Sequence, residues 1–184
     1  MRPRRVFHPT LTRLVLMVFF VVGMSSGAAP AVAHDHEPPR TALLANGETL
    51  QRGRHWSGCW TTGFPDGTFV TGCGDGFPQF PKVDVVAPGT RVTIRILKSQ
   101  RPRDLVIYAW KKTDRYGFVS GSPEELSYKR RRVRLPGGVA WDFSFATSDP
   151  RRHYYVSVTG VWRDEEGAEE MQDASYAFHV RTSR

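Results

Sequence analysis

An alternation of apolar and polar residues with a period of two recurs along most of this chain, and it limits the available folds more than any other feature. In the segment RVTIRIL, Val92, Ile94 and Ile96 alternate with polar residues. Such alternation predicts a strand with one buried and one solvated face. After residue 40, no segment shows the period of about 3.6 residues that marks an amphipathic helix. The chain is therefore predicted to be all-β.

Turn residues divide the alternating segments into about nine short strands. Asn46-Gly47 predicts a two-residue hairpin turn, because both positions tolerate positive φ. The segment at residues 104–110 is apolar on both faces and should be a central strand. Residues 111–127 lack alternation and are predicted to form a long loop, with one helical turn at Pro123-Glu124-Glu125. We predict an antiparallel, immunoglobulin-like β-sandwich, with a barrel as the less favoured alternative.

The N-terminal segment has the composition of a secretory signal. Four arginines precede the apolar run LVLMVFFVVGM, and the small-residue sequence Ala31-Val32-Ala33 follows it. The run is too short for a helix that spans a bilayer, which needs about 20 apolar residues. An uncleaved anchor is the less favoured alternative. We therefore assign residues 1–33 to a signal helix cleaved between Ala33 and His34, residues 34–40 to a flexible tether, and residues 41–184 to a single β-sandwich domain.

Cleavage would place the protein outside the cell and leave no membrane span. It would also remove four arginines and no acidic residue, so the formal net charge would fall from +8 to +4. This mild positive charge neither requires nor excludes a polyanionic partner. We expect a monomer that meets an extracellular ligand, and we do not expect nucleic acid as a partner.

The chain has two cysteines, Cys59 and Cys73, on either side of a predicted turn. A turn over Phe64-Pro65-Asp66-Gly67 would pair Phe64 with Thr68. Continuing that register pairs Cys59 directly with Cys73, at a non-hydrogen-bonded position. The Cα separation of roughly 4.5 Å at such a position suits a disulfide, and a secreted chain with two cysteines is expected to be oxidised. We predict a disulfide-closed hairpin.

Two other interpretations of the cysteines are weaker. A zinc site needs four ligands at short spacing, and His55 is the one histidine near them. A redox pair would favour C-x-x-C at the start of a helix, and this pattern is absent from the sequence.

The hairpin register also places Trp60 on the face opposite the bridge, across from Gly72. There it is expected to be a core anchor rather than a platform for a ligand.

The predicted mature N-terminus, His34-Asp35-His36, is a candidate metal site. A free α-amine, two amides and the imidazole of His36 would supply the square-planar nitrogen set that suits Cu(II) or Ni(II). An N-terminal histidine also resembles the copper brace of lytic polysaccharide monooxygenases and of some periplasmic copper carriers. That resemblance implies a second histidine presented by the fold, for which His55, His153 and His179 are the candidates. An incidental solvated tail is the favoured alternative.

Several other residues could have a chemical role, but each also has a simpler structural explanation. The run KRRRVR at residues 129–134 could contact an anionic polymer, but cationic side chains also protect edge strands from aggregation, and we favour that role. The acidic segment DEEGAEE at residues 164–170 lacks the spacing of a calcium loop. His153 and His179 fall at polar positions of their strands and are expected at the surface. Three aromatic residues could bind a sugar if the fold aligns them: Trp56, Trp110 and Tyr155.

Two parts of the chain, RHWSGCW…GCGDG and YYVSVTGVW…ASYAFHV, resemble a broad set of small secreted proteins and lipoproteins of Gram-positive bacteria. These proteins share a Cys-Trp strand, a second cysteine soon after it, and a C-terminal hairpin of the form Y-x-V…W…Y-x-F-x-V. The resemblance covers most of residues 45–182. Its motifs are structural, so it implies no particular activity. Unlike the lipid-anchored members, this chain has no cysteine at the signal junction.

Apart from GMSSG at residues 23–27, which lies in the predicted signal segment, the sequence contains no G-x-S-x-G pattern, and it contains no H-E-x-x-H helix or candidate catalytic pair of carboxylates. We therefore expect a secreted, non-enzymatic module that binds or senses an extracellular or envelope ligand. Copper handling through His34 and His36 is the second hypothesis, with Cu(II) as the one cofactor that the sequence suggests. A carbohydrate-binding or carbohydrate-active protein is the third.

Overall fold

The computed structural model describes residues 37–63, 68–163 and 171–184. Within these ranges the chain is all-β, with fourteen strands and no helix. The described residues thus contain no helix with the length and apolar character needed to cross a membrane. In chain order the strands are β1 (Arg40–Ala45), β2 (Glu48–Arg52), β3 (Arg54–Gly63), β4 (Phe69–Gly74), β5 (Asp84–Val86), β6 (Arg91–Leu97), β7 (Asp104–Trp110), β8 (Lys112–Thr113), β9 (Val119–Ser120), β10 (Glu124–Glu125), β11 (Lys129–Leu135), β12 (Gly138–Ala146), β13 (His153–Arg163) and β14 (Met171–Thr182).

Five strands form an antiparallel sheet in the order β11-β12-β6-β1-β2. Asn46 and Gly47 connect β1 to β2, and both have positive φ, so the predicted hairpin turn is confirmed. Leu43, Ile94 and Phe143 are neighbours across the three central strands and are buried on one face. β11, which carries the run KRRRVR, is an edge strand, as the sequence predicted.

The second sheet has seven strands. Six lie in the order β10-β7-β13-β14-β3-β4, and β5 adds to it as a parallel partner of β14. β13 and β14 form a long hairpin ladder that runs from His153↔Arg181 to Arg163↔Met171. β7, predicted to be a central strand, lies between β13 and the two-residue strand β10. The β13–β14 hairpin therefore forms the middle of this sheet.

The structure differs from the long loop predicted at residues 111–127. β8 and β9 pair with each other, and β10 extends the sheet through Glu124↔Ala109 and Glu125↔Tyr108. The predicted helical turn at Pro123-Glu124-Glu125 is wrong, because both glutamates pair with a neighbouring strand. The prediction of about nine strands is also too low, since segments of two or three residues are too short to show a period.

Side chains from both sheets belong to one hydrophobic cluster. The five-stranded sheet contributes Ile94 and Phe143, and the seven-stranded sheet contributes Val156, Trp162 and Phe178, all of them buried. Burying one such side chain stabilises the fold by about 1.5–3 kcal/mol relative to exposure. The alternate residues of these strands point away from the cluster, and we call the surface they form the outer face of each sheet.

β3 and β4 form the hairpin predicted around the cysteines. Cys59 pairs with Cys73 and Trp60 pairs with Gly72, so the predicted register is confirmed. The two cysteines form a disulfide, with their Cα atoms 4.1 Å apart. Trp60 is only 6% exposed and meets the ring of Trp162 edge to face, with centroids 5.6 Å apart. Trp60 is therefore a core residue, as predicted. The turn at residues 64–67 lies outside the described residues.

A candidate binding pocket on the seven-stranded sheet

Three ring side chains form a row across the outer face of the seven-stranded sheet. Tyr154 and Val156 on β13 are buried in the core, so Tyr155 between them points to the outer face. Tyr155 pairs with Trp110 of β7 on one side and with His179 of β14 on the other. The rings of Tyr155 and His179 stack with their centroids 4.1 Å apart. Cross-strand pairing thus sets this row.

Two segments stand beside the row and form the walls of a pocket. One is residues 77–80, and the other supplies Thr113 and residues 116–118. Phe80 meets Tyr155 edge to face with centroids 5.2 Å apart, and Phe77 meets Phe118 in the same way at 4.9 Å. Aromatic contacts therefore join one wall to the floor and the two walls to each other. The pocket has a volume of about 600 Å³, within the range of roughly 300–1,000 Å³ that is usual for small-ligand sites.

The walls expose aromatic side chains. Phe77 is 72% exposed, Tyr116 is 67% exposed and Phe118 is 41% exposed. The carboxylate of Asp114 accepts hydrogen bonds from the backbone N–H groups of Tyr116, at 2.8 Å, and Phe118, at 3.0 Å. This local turn restrains the backbone that carries both aromatic side chains. Clustered, exposed apolar side chains of this kind mark interaction sites rather than core.

His179 lines the pocket and is paired with His153 behind it. The Nδ1 atom of His153 and the Nε2 atom of His179 are 3.0 Å apart. Burial, together with the neighbouring His153, lowers the pKa of His179 to about 4. Burial and the charge of Arg181 also lower the pKa of His153. Both imidazoles are therefore neutral near neutral pH. Between two neutral imidazoles, one of these nitrogens donates the hydrogen bond and the other accepts it.

A buried amide from the other sheet holds the backbone of His179. β14 pairs with β3 as far as Ala177 and with β5 from Val180, so the described strands provide no ladder partner for His179 on that side. The side chain of Gln51 fills the gap. Its Oε1 accepts from the His179 N–H at 3.0 Å, and its Nε2 donates to the His179 carbonyl at 2.6 Å. Nε2 also donates to the Lys82 carbonyl at 3.0 Å. Gln51 thus connects β2 to the pocket floor.

The pocket offers aromatic faces and uncharged polar groups. Of the described residues that line it, none is acidic, lysine or arginine, and His179 is neutral near neutral pH. Gln79 and Thr113 add an amide and a hydroxyl. The described residues contain no group of three or more His, Cys, Asp or Glu side chains arranged to hold a metal ion. The chemistry of this lining favours an uncharged ligand with apolar faces.

The structure brings together two of the three aromatic residues proposed for sugar binding. Trp110 and Tyr155 are direct neighbours in the row, and Tyr155 lines the pocket. Neither Trp110 nor Trp56, which lies on β3, is among the described residues that line it. His153 and His179 were expected at the surface, but both are half-buried. The reason is that residues 77–80 cover this part of a strand face that the alternation pattern predicts to be open.

The N-terminal metal candidates, His34 and His36, lie outside the described residues, as does the acidic segment at residues 164–170. His55 is exposed on β3 and contacts the ring of Tyr176, with centroids 5.5 Å apart. It also lines a separate cavity of about 850 Å³, which Glu37 lines as well. The first described residues of the chain therefore lie beside His55.

Four aromatic residues of the pocket were missed by the sequence analysis, because they lie in segments without strand periodicity: Phe77, Phe80, Tyr116 and Phe118. These segments, FPQFP and RYGF, place bulky aromatic residues next to proline or glycine. Aromatic residues concentrated in turn-rich segments are the signal that could have indicated them, since such residues are not placed in a core by alternation.

No protein-family model matches this chain, and no curated protein sequence matches it either.

Proposed function

We propose that this protein is a secreted, non-enzymatic binding module, and that its ligand occupies the pocket lined by residues 77–80, Thr113, residues 116–118, Tyr155 and His179. The observation that carries the proposal is the meeting of three exposed aromatic side chains, Phe77, Tyr116 and Phe118, at one pocket. Leaving such side chains exposed is unfavourable in water, and a ligand that covers them recovers that free energy.

We further propose that the two main sheets pack face to face as an immunoglobulin-like β-sandwich. The support is the single hydrophobic cluster to which both sheets contribute, including Phe143 from one and Phe178 from the other. In this arrangement the pocket lies on the surface of a rigid scaffold, with Tyr155 and His179 fixed by strand pairing. The Cys59–Cys73 disulfide is compatible with export, because such bonds persist in oxidising compartments.

The ligand class that fits the lining best is a neutral carbohydrate. Pyranose rings carry apolar faces that pack on aromatic side chains, while their hydroxyl groups hydrogen-bond to uncharged polar groups. Tyr155 and Phe80 supply adjacent rings, and Gln79 and Thr113 supply the polar groups. The described lining residues carry no Asp, Glu, Lys or Arg, and the Arg115 guanidinium is taken up against the Tyr116 ring at 4.6 Å. This lining favours a neutral ligand over an ionic one.

Saturation-transfer NMR with a panel of neutral oligosaccharides tests this proposal. We expect at least one member to bind the unmodified protein and its signal to be lost in a variant that combines Tyr116→Ala with Phe118→Ala. The matched control combines Val70→Ala with Val85→Ala, because these side chains are also exposed and apolar but do not line the pocket. Equal binding by both variants would contradict the site, no binding by the unmodified protein would contradict the ligand class, and turnover of a bound sugar would contradict the non-enzymatic assignment.

Copper handling is a second candidate function, favoured by one observation. Glu37, which directly follows His36 in the sequence, lines the same cavity as His55. We propose that Cu(II) would be bound by His34 and His36, with His55 as the histidine supplied by the fold. Mass spectrometry should then find His34 at the mature N-terminus, and His36→Ala and His55→Ala should each weaken Cu(II) binding, whereas His153→Ala should not. A different N-terminus would rule this candidate out.

A further inference from the structure

The outer face of the five-stranded sheet is strongly basic. Ile94 and Phe143 belong to the core, so the alternate residues of their strands and of the paired strands point away from it. Among the outer positions of these five strands, all of which the structure describes, six residues are cationic. We call this surface the basic face: Arg40, Arg52, Arg91, Arg95, Lys129 and Arg131.

Asp142 is the one acidic residue among the outward-facing positions of these five strands, and its charge is already paired with Arg95. Arg95 donates to both oxygens of Asp142, through Nε at 2.7 Å and through Nη2 at 2.9 Å. The side chain of Asp142 is only 6% exposed. The nearest nitrogen of Arg131 is 3.8 Å from the same carboxylate, and the Arg131 side chain remains 77% exposed. Outside the strands, the exposed carboxylate of Glu37 lies 3.9 Å from Arg40 and lines one cavity with Arg40 and Arg52. An incoming ligand therefore meets a surface on which cationic groups outnumber exposed carboxylates.

Three of these arginines form a row across the strands. The register runs from Arg131 through Asp142 to Arg95, and then through Ala42 to Arg52. Each arginine is two strands from the next, and neighbouring strands lie about 4.8 Å apart, so successive arginines are spaced by roughly 10 Å. The residues between them are a small alanine and a buried carboxylate. Neither of these two intervening residues has a bulky side chain that would keep a ligand from lying across the row.

We propose that the basic face binds a linear phosphate polymer that lies across the strands. The cations are spread over an open sheet and do not converge on one point, which suits a chain of repeated anionic groups rather than a single small anion. Five of the six are arginines. Arg95 is held by Asp142, and a guanidinium such as those of the other four can donate two parallel hydrogen bonds to one phosphate. This surface lies on the other sheet from the aromatic pocket, so the inference does not depend on the proposed ligand of that pocket.

Fluorescence anisotropy with labelled inorganic polyphosphate, measured at several salt concentrations, tests the inference. The test variant combines Arg52→Gln with Arg131→Gln, which removes both ends of the row. The control combines Arg130→Gln with Arg132→Gln. These two exposed residues lie on the same strand as Arg131 but at the alternate positions, opposite Phe143 and Trp141. Both variants lose the same net charge, so they separate the basic face from a general charge effect.

We expect the test variant to bind polyphosphate about tenfold more weakly, and the slope of log K against log salt to fall by roughly 1.4 for two lost contacts. The control should stay within about twofold of the unmodified protein. Melting curves for both variants check that each remains folded. Equal weakening in the two variants, no binding by the unmodified protein at low salt, or tighter binding to duplex DNA than to polyphosphate would each overturn the inference.

Discussion

The side-chain amide of Gln51 hydrogen-bonds to both backbone polar groups of His179, at 3.0 Å to the N–H and 2.6 Å to the carbonyl. A side chain of one sheet thus replaces a missing strand partner in the other. His179 lies at this point with its ring stacked on Tyr155 and hydrogen-bonded to His153. Gln51 therefore fixes the backbone of the pocket floor at His179, although Gln51 itself does not line the pocket.

Replacing Gln51 by alanine should destabilise the protein. The change leaves the N–H and carbonyl of His179 and the Lys82 carbonyl without this partner. Leaving buried backbone groups unsatisfied costs about 1–3 kcal/mol. Urea unfolding followed by tryptophan fluorescence measures the loss. Gln79→Ala is the control, because Gln79 is exposed, and its effect should stay within about 0.5 kcal/mol. Equal effects of the two substitutions would contradict the role assigned to Gln51.

Stability should fall as the pH is lowered through the range in which His179 titrates. Its pKa is about 4 in the folded protein against an ordinary value of 6.5. Between these values the unfolded chain binds a proton that the folded chain does not, so stability is full above about 6.5 and declines toward about 4. For a half-buried group screened by solvent, the loss should be about 1–2 kcal/mol.

The measurement for this pH effect is the unfolding free energy of the unmodified protein and of His179→Gln across the same pH range. The variant should show a flatter profile, because the titrating group is absent. His55→Gln is the control, since His55 is exposed, and it should keep the original profile. Carboxylates that titrate in the same range affect all three proteins alike. Parallel profiles for the unmodified protein and His179→Gln would show that this histidine does not contribute.

Removing the disulfide should weaken the fold without abolishing it. The bridge joins Cys59 and Cys73 across one hairpin, whereas the hydrophobic cluster draws on both sheets. Closing a loop of about 15 residues stabilises a protein by about 3 kcal/mol in the chain-entropy model. The variant with Cys59→Ser and Cys73→Ser should lose about that amount in urea unfolding. A reductant should reproduce the loss in the unmodified protein and have no effect on the variant. An unfolding midpoint that reduction leaves unchanged would be inconsistent with this expectation.

The ion pair between Arg95 and Asp142 should contribute more to the stability of the folded protein than the exposed ion pairs do. Asp142 is buried and held through both oxygens, so Asp142→Asn leaves a largely buried guanidinium without its counter-charge. We expect a loss of about 2–4 kcal/mol, near the range for broken buried pairs. Asp104→Asn breaks an exposed pair with Arg103 and should cost under about 1 kcal/mol. Thermal unfolding of both variants compares them, and similar losses would count against the distinction.

The local elements were predictable because their causes are local. Alternation in RVTIRIL depends on neighbouring residues alone, and β6 follows it with Val92, Ile94 and Ile96 buried. The Asn46-Gly47 turn depends on backbone conformations that these two residues tolerate. The cysteine register followed from the same logic, because one turn determines every pair of its hairpin. The short strands β8, β9 and β10 were missed, since two residues cannot show a period.

By itself, then, the sequence determined that the chain is all-β, where its main strands and hairpin turns lie, and that Cys59 faces Cys73 with Trp60 on the buried side. Tertiary structure alone decided the pocket. Tyr155 and His179 are neighbours only because β13 and β14 pair, and residues 77–80 reach them through contacts that no short-range pattern encodes. Period and turn chemistry act over a few residues, whereas a site is made where distant segments meet, and that meeting is set by the packing of the whole chain.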